Sequence, residues 1–307
     1  MIALPPARTA DRLRLVAAAV LFSTGGAAIK ATALTSWQVA SFRSGVAAAV
    51  VLLLVPAARR GWGWRVGLVS LVYAATMVLF VLANKATTAA NAIFLQSAAP
   101  LYVLVLAPLL LREHARRVDL LAMAVIAAGL ALVLQGVPPS AATAPDPALG
   151  DALAVASGVA WALTMIGLRW LGMRGAAERA AGATRDDPAL ATVVGGNALA
   201  CLACLPLALP VVGATAADWA VVGYLGVFQI GLAYLFMARG IGGVPALEAS
   251  MLLLIEPALN PIWAWLAHGE RPGVLPVAGG ALILAATVAR SWPRGRPAPV
   301  APAPPAV

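Results

Sequence analysis

Glu256, Asn260 and Trp263 stand at i, i+4 and i+7 in the stretch EASMLLLIEPALNPIWAWLAHGE. On a helix these positions share one face, and Ala249 and Leu252 extend the same stripe. A carboxylate, an amide and an indole on one face of an apolar segment are suited to binding a polar organic molecule. An ionised carboxylate at mid-membrane costs about 3 kcal/mol on insertion scales. Glu256 is therefore expected to face a cavity or a partner, or to hold a proton. A carboxyl that exchanges protons across a membrane would couple transport to the proton gradient. A purely structural acid, bonded to a neighbouring helix, is the plainer alternative.

Other polar groups lie within apolar runs. Arg43 is the one arginine well inside such a run, and either attracts an anionic substrate group or snorkels to head groups. Trp161 with Thr164, Gln96, Tyr73, Tyr224, Gln229 and Tyr234 are candidates for a cavity wall, where an amphipathic aromatic offers both an apolar face and a hydrogen bond. Lys30 and Lys85 fall at run ends and are expected to anchor there. Cys201 and Cys204 form a CxxC without further ligands, so they are read as packing residues rather than a redox or metal pair. The histidines, His114 and His268, lie near opposite surfaces, and no metal site is expected.

These residues sit in a chain that repeats itself. Pro100 and Glu113 recur at the same spacing as Pro257 and Glu270. The shift that superposes them pairs Glu256 with Ala99, Asn260 with Val103, and Gln96 with Leu253. Pro100 and Pro257 each remove one helical hydrogen bond, and are candidate gating bends or static kinks. Glu113 and Glu270 are expected to bind loop groups at opposite surfaces. Glu248 is expected to complement a helix N-terminus.

The 307 residues are 62% hydrophobic and 11% charged, with a mean hydropathy of +0.91. A soluble domain carries about 25% charged residues, so the composition indicates an integral membrane protein. The net charge of +9 comes from arginines in short gaps between apolar runs and calls for no nucleic acid. A spanning helix needs about 20 apolar residues. Ten segments qualify: about 13–31, 37–56, 65–84, 88–111, 117–136, 150–171, 189–212, 218–238, 245–267 and 273–291. The expected fold is all-α: ten transmembrane helices in two five-helix repeats, 13–136 and 150–291. Because five is odd, the repeats are inverted. The flanking segments are a cytoplasmic N-terminus (1–12), an external Pro/Ala-rich linker (137–149) and a disordered cytoplasmic tail (292–307). Gly172–Pro188 is expected to be a charged cytoplasmic loop. With the N-terminus inside, 17 of the 21 lysines and arginines fall on the cytoplasmic side. Both termini are therefore expected in the cytoplasm, in the plasma membrane of the cell. Gly129, Gly196 and Gly279 are among the small residues expected to allow close helix contact.

GDALAVASGVAWALTMIGLRW, ALEASMLLLIEPALNPIWAWLAHGE, GGALILAATVA and WQVASFRSGVAAAV resemble, in order and spacing, the helices of the drug/metabolite transporter superfamily, and within it the EamA family. FSTGGAAIK in the first span departs from the family pattern, which has a tryptophan-glycine pair before the lysine. The resemblance implies ten helices and a cavity between the halves. It also implies alternating-access transport of a small metabolite, such as an amino acid or related compound, often as export. The cavity candidates are Glu256, Asn260, Trp263, Trp161, Tyr224, Gln96 and Arg43, with Pro100 and Pro257 as gating positions. No phosphate-binding loop occurs, so no ATP drive or cofactor is expected. An intramembrane lipid-modifying enzyme and a membrane protein without transport are the alternative classes. Reactive clusters of acids or histidines, which the enzyme would need, are not seen.

Overall fold

The computed structural model describes residues 7–87, 89–135, 145–182, 186–268 and 274–291, and every described regular element is helical. The helices are α1 (Ala7–Ser23), α2 (Gly25–Lys30), α3 (Ser36–Leu54), α4 (Trp64–Ala86), α5 (Ala89–Gln96), α6 (Ala99–Leu110) and α7 (Arg117–Gln135). The second half contains α8 (Pro147–Ala180), α9 (Pro188–Ala208), α10 (Ala216–Tyr224), a π-helical stretch (Leu225–Leu232), α11 (Ala233–Ile241), α12 (Ala246–Leu253), α13 (Ile255–His268) and α14 (Val274–Ser291). Among the described residues seven helical stretches are long and apolar enough to cross a membrane. The other three expected spans coincide with α7, the α12–α13 pair and α14.

Local chemistry sets the ends. Asp146-Pro147 and Asp187-Pro188 start α8 and α9: each aspartate accepts the amide of the residue three on, from Leu149 at 3.1 Å and Leu190 at 3.3 Å. Proline fits the first helical position, where no amide partner is needed. Capping boxes at Thr35/Gln38 and Thr215/Asp218 start α3 and α10.

Three boundaries differ from the sequence reading. Helix α1 begins at Ala7, inside the expected N-terminal segment. Helix α8 begins at Pro147, inside the expected linker, and continues to Ala180, so the expected charged loop starts as helix. The Asp-Pro cap accounts for the early start. The late end follows from alanine-rich sequence that keeps helix propensity after hydropathy has fallen. At 34 residues α8 is about 51 Å long, well beyond a hydrocarbon core of about 30 Å. Residues 137–144 of the expected linker, Glu270 and the tail 292–307 lie outside the described residues.

Both copies of the proline motif break their helix in the same way. Ser97 and Ala98 form a turn between α5 and α6, and Leu254 forms one between α12 and α13. Each turn lies just before its proline, which has no amide to give to the carbonyl four residues earlier.

The halves pack through α3 on α9, α7 on α14, α4 on α8, α1 on α11, and α6 on α12. Exchanging the halves turns α4–α8 into α11–α1 and returns α3–α9 and α7–α14 to themselves. A two-fold relation between repeats produces this pattern. Close approach depends on glycine: a Cβ on Gly129 of α7 would lie 2.8 Å from the Gly279 carbonyl of α14, and one on Gly196 of α9 would fall against the Tyr73 ring of α4.

Polar ties join the halves at both ends of the bundle. At one end Glu113 pairs with Arg169, whose Nε is 2.6 Å away, and accepts the Ala246 amide at 2.8 Å. Arg12 donates to Glu248 at 2.7 Å. Glu113 thus binds groups of the opposite half, and Glu248 sits in the first turn of α12. At the other end Asp218 accepts from Thr32 Oγ1 at 2.7 Å and from the Ala33 amide at 2.8 Å. Thr87 donates to Asp151 at 2.9 Å. Lys30 and Lys85 reach across to the carbonyls of Thr87 and Thr32.

Gly196→Ala is expected to lower stability in detergent by about 1–3 kcal/mol, through overpacking against Tyr73. Gly67→Ala, whose Cβ would meet nothing within 4 Å, is expected to be neutral or slightly stabilising. Thermal unfolding of the two variants side by side checks this, and equal melting would count against the tight α4–α9 contact.

Candidate functional site

Eight elements converge on one cavity between the halves. Phe22 of α1, Arg43 of α3, Thr76, Met77 and Phe80 of α4, and Gln96 of α5 line it from the first half. Trp161 of α8, Gln229 and Ile230 of the π-helical stretch, Tyr234 of α11 and Glu256 of α13 line it from the second. Its volume is about 30 Å³, room for about two water molecules. Polar ties hold the halves together at both ends of the interface around it.

Arg43 is 1% exposed. Its Nη1 is 3.4 Å from Gln229 Oε1, its Nη2 donates to the Met77 carbonyl at 3.2 Å, and its Nε has no partner among the described residues. No carboxylate pairs with it among the described residues. An arginine offers five donors in a planar fork, and most of that capacity is left for a carboxylate or similar anion. The snorkelling alternative does not hold, since the side chain points inward. The π-helical stretch is what brings Gln229 to it. A π turn inserts one extra residue and re-aims the side chains that follow.

Glu256 is half-buried against the same cavity and makes no hydrogen bond to the described residues. The Arg43 guanidinium and the Glu256 carboxyl thus line one cavity, with no salt bridge between them among the described residues. Between them runs an aromatic cluster. Tyr234 meets Phe22 edge-on at 4.9 Å, Trp161 edge-on at 5.9 Å and Tyr73 at 4.5 Å. Tyr73 is fully buried behind this wall, where Asn197 donates to its hydroxyl at 2.8 Å.

A directed chain fixes Gln96. Its amide Nε2 donates to Ser157 Oγ at 2.8 Å, and Ser157 Oγ in turn donates to the Thr76 carbonyl at 3.5 Å. Thr76 also meets Thr164 at 3.0 Å. A second, smaller cavity of about 10 Å³ lies on the other side of Gln96, Trp161 and Glu256. Pro100 and Pro257 line this one.

Of the expected site residues, Glu256, Arg43, Gln96 and Trp161 meet at the main cavity. Trp263 and Tyr224 do not line it. Trp263 donates to Ser23 Oγ at 2.7 Å, and Tyr224 donates to Thr24 Oγ1 at 2.9 Å. The two hold the junction of α1 and α2 from either side. Asn260 lies on α13, but its side chain is outside the described ones. The sequence reading missed Phe22, Thr76, Met77, Phe80 and Ile230. Thr76, a hydroxyl in the middle of an apolar span, carried a signal; the four apolar residues carried none. Cys201 and Cys204 are free.

The EamA-like transporter family matches residues 13–135 and 148–291. No curated protein matches the chain. A crystal structure titled only as that of a protein is similar in fold, with a TM-score of 0.72 and 20% identity, covering 92% of this chain and 96% of the other.

Arg43→Met is expected to melt no lower than the parent chain in detergent. Replacing a buried charge that has no carboxylate partner by an apolar residue of similar length removes a desolvation penalty. A markedly lower melting temperature would mean that Arg43 is held for structure and not for a ligand.

Proposed function

The chain belongs to the EamA-like transporter family, and we propose on that premise that it is a ten-helix secondary transporter in the plasma membrane, with both termini cytoplasmic. Its two inverted repeats, 13–136 and 150–291, rock about the cavity between them and expose it to each side in turn. The substrate is a small polar metabolite, an amino acid or related compound, and the direction is export. The observation that carries this reading is the buried Arg43 guanidinium, with no carboxylate paired to it among the described residues, on the same cavity as the Glu256 carboxyl. A zwitterion fits such a pair, with its carboxylate on the Arg43 fork and its ammonium near Glu256. The aromatic wall of Phe22, Trp161 and Tyr234 supplies the apolar surface beside them.

Ion drive acts on Glu256, the acid of the cavity, and the proton is the coupling ion that the sequence suggests. Opening at one end requires breaking Glu113–Arg169 and Arg12–Glu248. Opening at the other requires breaking Asp218–Thr32 and Thr87–Asp151.

Purified protein in liposomes, loaded with a panel of labelled zwitterions, tests this. Saturable flux is expected, falling at least tenfold in Arg43→Met. Glu256→Gln is expected to exchange substrate but to lose acceleration by an imposed ion gradient. Full gradient-driven flux in Glu256→Gln would remove the coupling role. Lipid turnover with no saturable flux would favour an enzyme instead.

A further inference from the structure

The smaller cavity has a composition that transport of a metabolite alone does not account for. It lies at the facing helix breaks of the two repeats. Gln96, Ser97, Ala99 and Pro100 line it from the first repeat; their counterparts in the second are Leu253, Leu254, Glu256 and Pro257, and these line it as well. Equivalent residues of two repeats meet only around the axis that relates them. The cavity therefore straddles the pseudo-two-fold axis, which for inverted repeats lies near the membrane midplane.

The pairs are not chemically equal. Gln96 faces an equivalent leucine, Ser97 faces another, and Glu256 faces an alanine. In each of these three pairs one repeat supplies oxygen and the other supplies hydrocarbon, while the fourth, Pro100 and Pro257, is the same in both. Duplication placed the same backbone twice, and the two copies divided the polar groups between them.

The groups gathered there are rich in acceptors. The Gln96 amide nitrogen donates to Ser157, which leaves its Oε1 to accept. The Ser250 hydroxyl, also on this cavity, donates to the Leu247 carbonyl at 2.8 Å, so its oxygen faces outward with lone pairs only. Pro100 and Pro257 give no amide to the carbonyls of Gln96 and Leu253. Glu256 adds a carboxylate with no hydrogen bond among the described residues. An enclosure of oxygen acceptors around one acid calls for a cation, and carbonyls at unwound helix breaks serve that purpose in transporters. At about 10 Å³ the space holds one body the size of a water molecule. That suits a small monovalent ion stripped of its hydration shell, and excludes an organic ammonium.

We propose that this axial cavity is a sodium-sized cation site, with Glu256, Gln96 Oε1 and Ser250 Oγ as ligands beside the backbone carbonyls at the two breaks. This rests on the transporter reading only in that it puts sodium, in place of the proton that the sequence suggests, as the coupling ion of the same carboxylate. Glu256 lines both cavities, so a cation on the axis and a substrate ammonium in the main cavity compete for one charge. Binding of the ion from one side then expels the substrate, which is the coupling an exchanger needs.

The full chain in detergent is heated in sodium, lithium, potassium or choline chloride at equal ionic strength. The melting temperature is expected to rise and saturate with sodium and to stay at the choline value in potassium. Ser250→Ala and Glu256→Gln are expected to weaken the apparent sodium affinity about tenfold or more. Ser250→Ala removes only a hydroxyl bonded within its own helix, and keeps the test alive if Glu256→Gln does not fold. Identical melting of the parent chain in sodium and choline overturns the proposal. A pH-dependent shift that is the same in both salts and vanishes in Glu256→Gln also overturns it, since the site would then take a proton. Metabolite flux without a sodium effect sinks this site and leaves the transporter reading. A sodium effect without flux does the reverse.

Discussion

Arg43 carries a full charge at 1% exposure, in a protein whose surroundings are hydrocarbon. No carboxylate compensates it among the described residues. The rest of the arrangement follows from enclosing that charge without neutralising it. A guanidinium in the low-dielectric interior keeps its place only if fixed dipoles surround it. The Met77 carbonyl and the Gln229 amide provide them. Gln229 reaches it because the eighth expected span relaxes into π-helix there, and Gly226 lets that stretch lie directly on the backbone of α3 at Arg43. A partner carboxylate on α1 or α11 would have been easier to build. It would also have filled the donors that an anionic substrate requires.

Symmetry and its failure divide the labour. The scaffold is shared: two proline breaks, two sets of end ties, and helix pairs that map onto one another when the halves are exchanged. The chemistry is not shared. Arg43 and Gln96 come from the first half, and Trp161, Gln229, Tyr234 and Glu256 from the second. A perfectly symmetric site on a two-fold axis would present the same groups to both sides. It would have no means of treating substrate and ion differently. Divergence at the axis, one polar member per pair, gives two cavities of different size and polarity that share Glu256.

Much of the architecture was legible in the sequence because bilayer burial forces it. Apolar length defines a span, and a motif that recurs at constant spacing defines a repeat. Glu256, Arg43, Gln96 and Trp161 were legible for the same reason, being polar or amphipathic groups where hydrocarbon would be expected. What was not legible depends on helix rotation and on tertiary contact. Trp263 shares a helical face with Glu256 by spacing, yet the turn of α13 carries its indole to Ser23. Tyr224 is the last residue before the π-helical stretch, and its hydroxyl donates to Thr24 rather than lining the cavity. The extension of α8 to Ala180 was hidden because hydropathy, the signal used to end spans, falls before helix propensity does.

Two separate chambers with a common acid impose an order on events. If Glu256 faced only the main cavity, an ion could reach it only by displacing the substrate from the same space. If it faced only the axial cavity, substrate charge would not sense the ion. Glu256 lines both cavities together with Gln96 and Trp161, and under the proposed reading a single carboxylate would limit substrate and ion to one at a time. A span interrupted just before its proline has already given up a hydrogen bond, so bending further there costs less than bending an intact turn. Under the proposed reading, bending is expected at Ser97, Ala98 and Leu254, next to the residues that both cavities share.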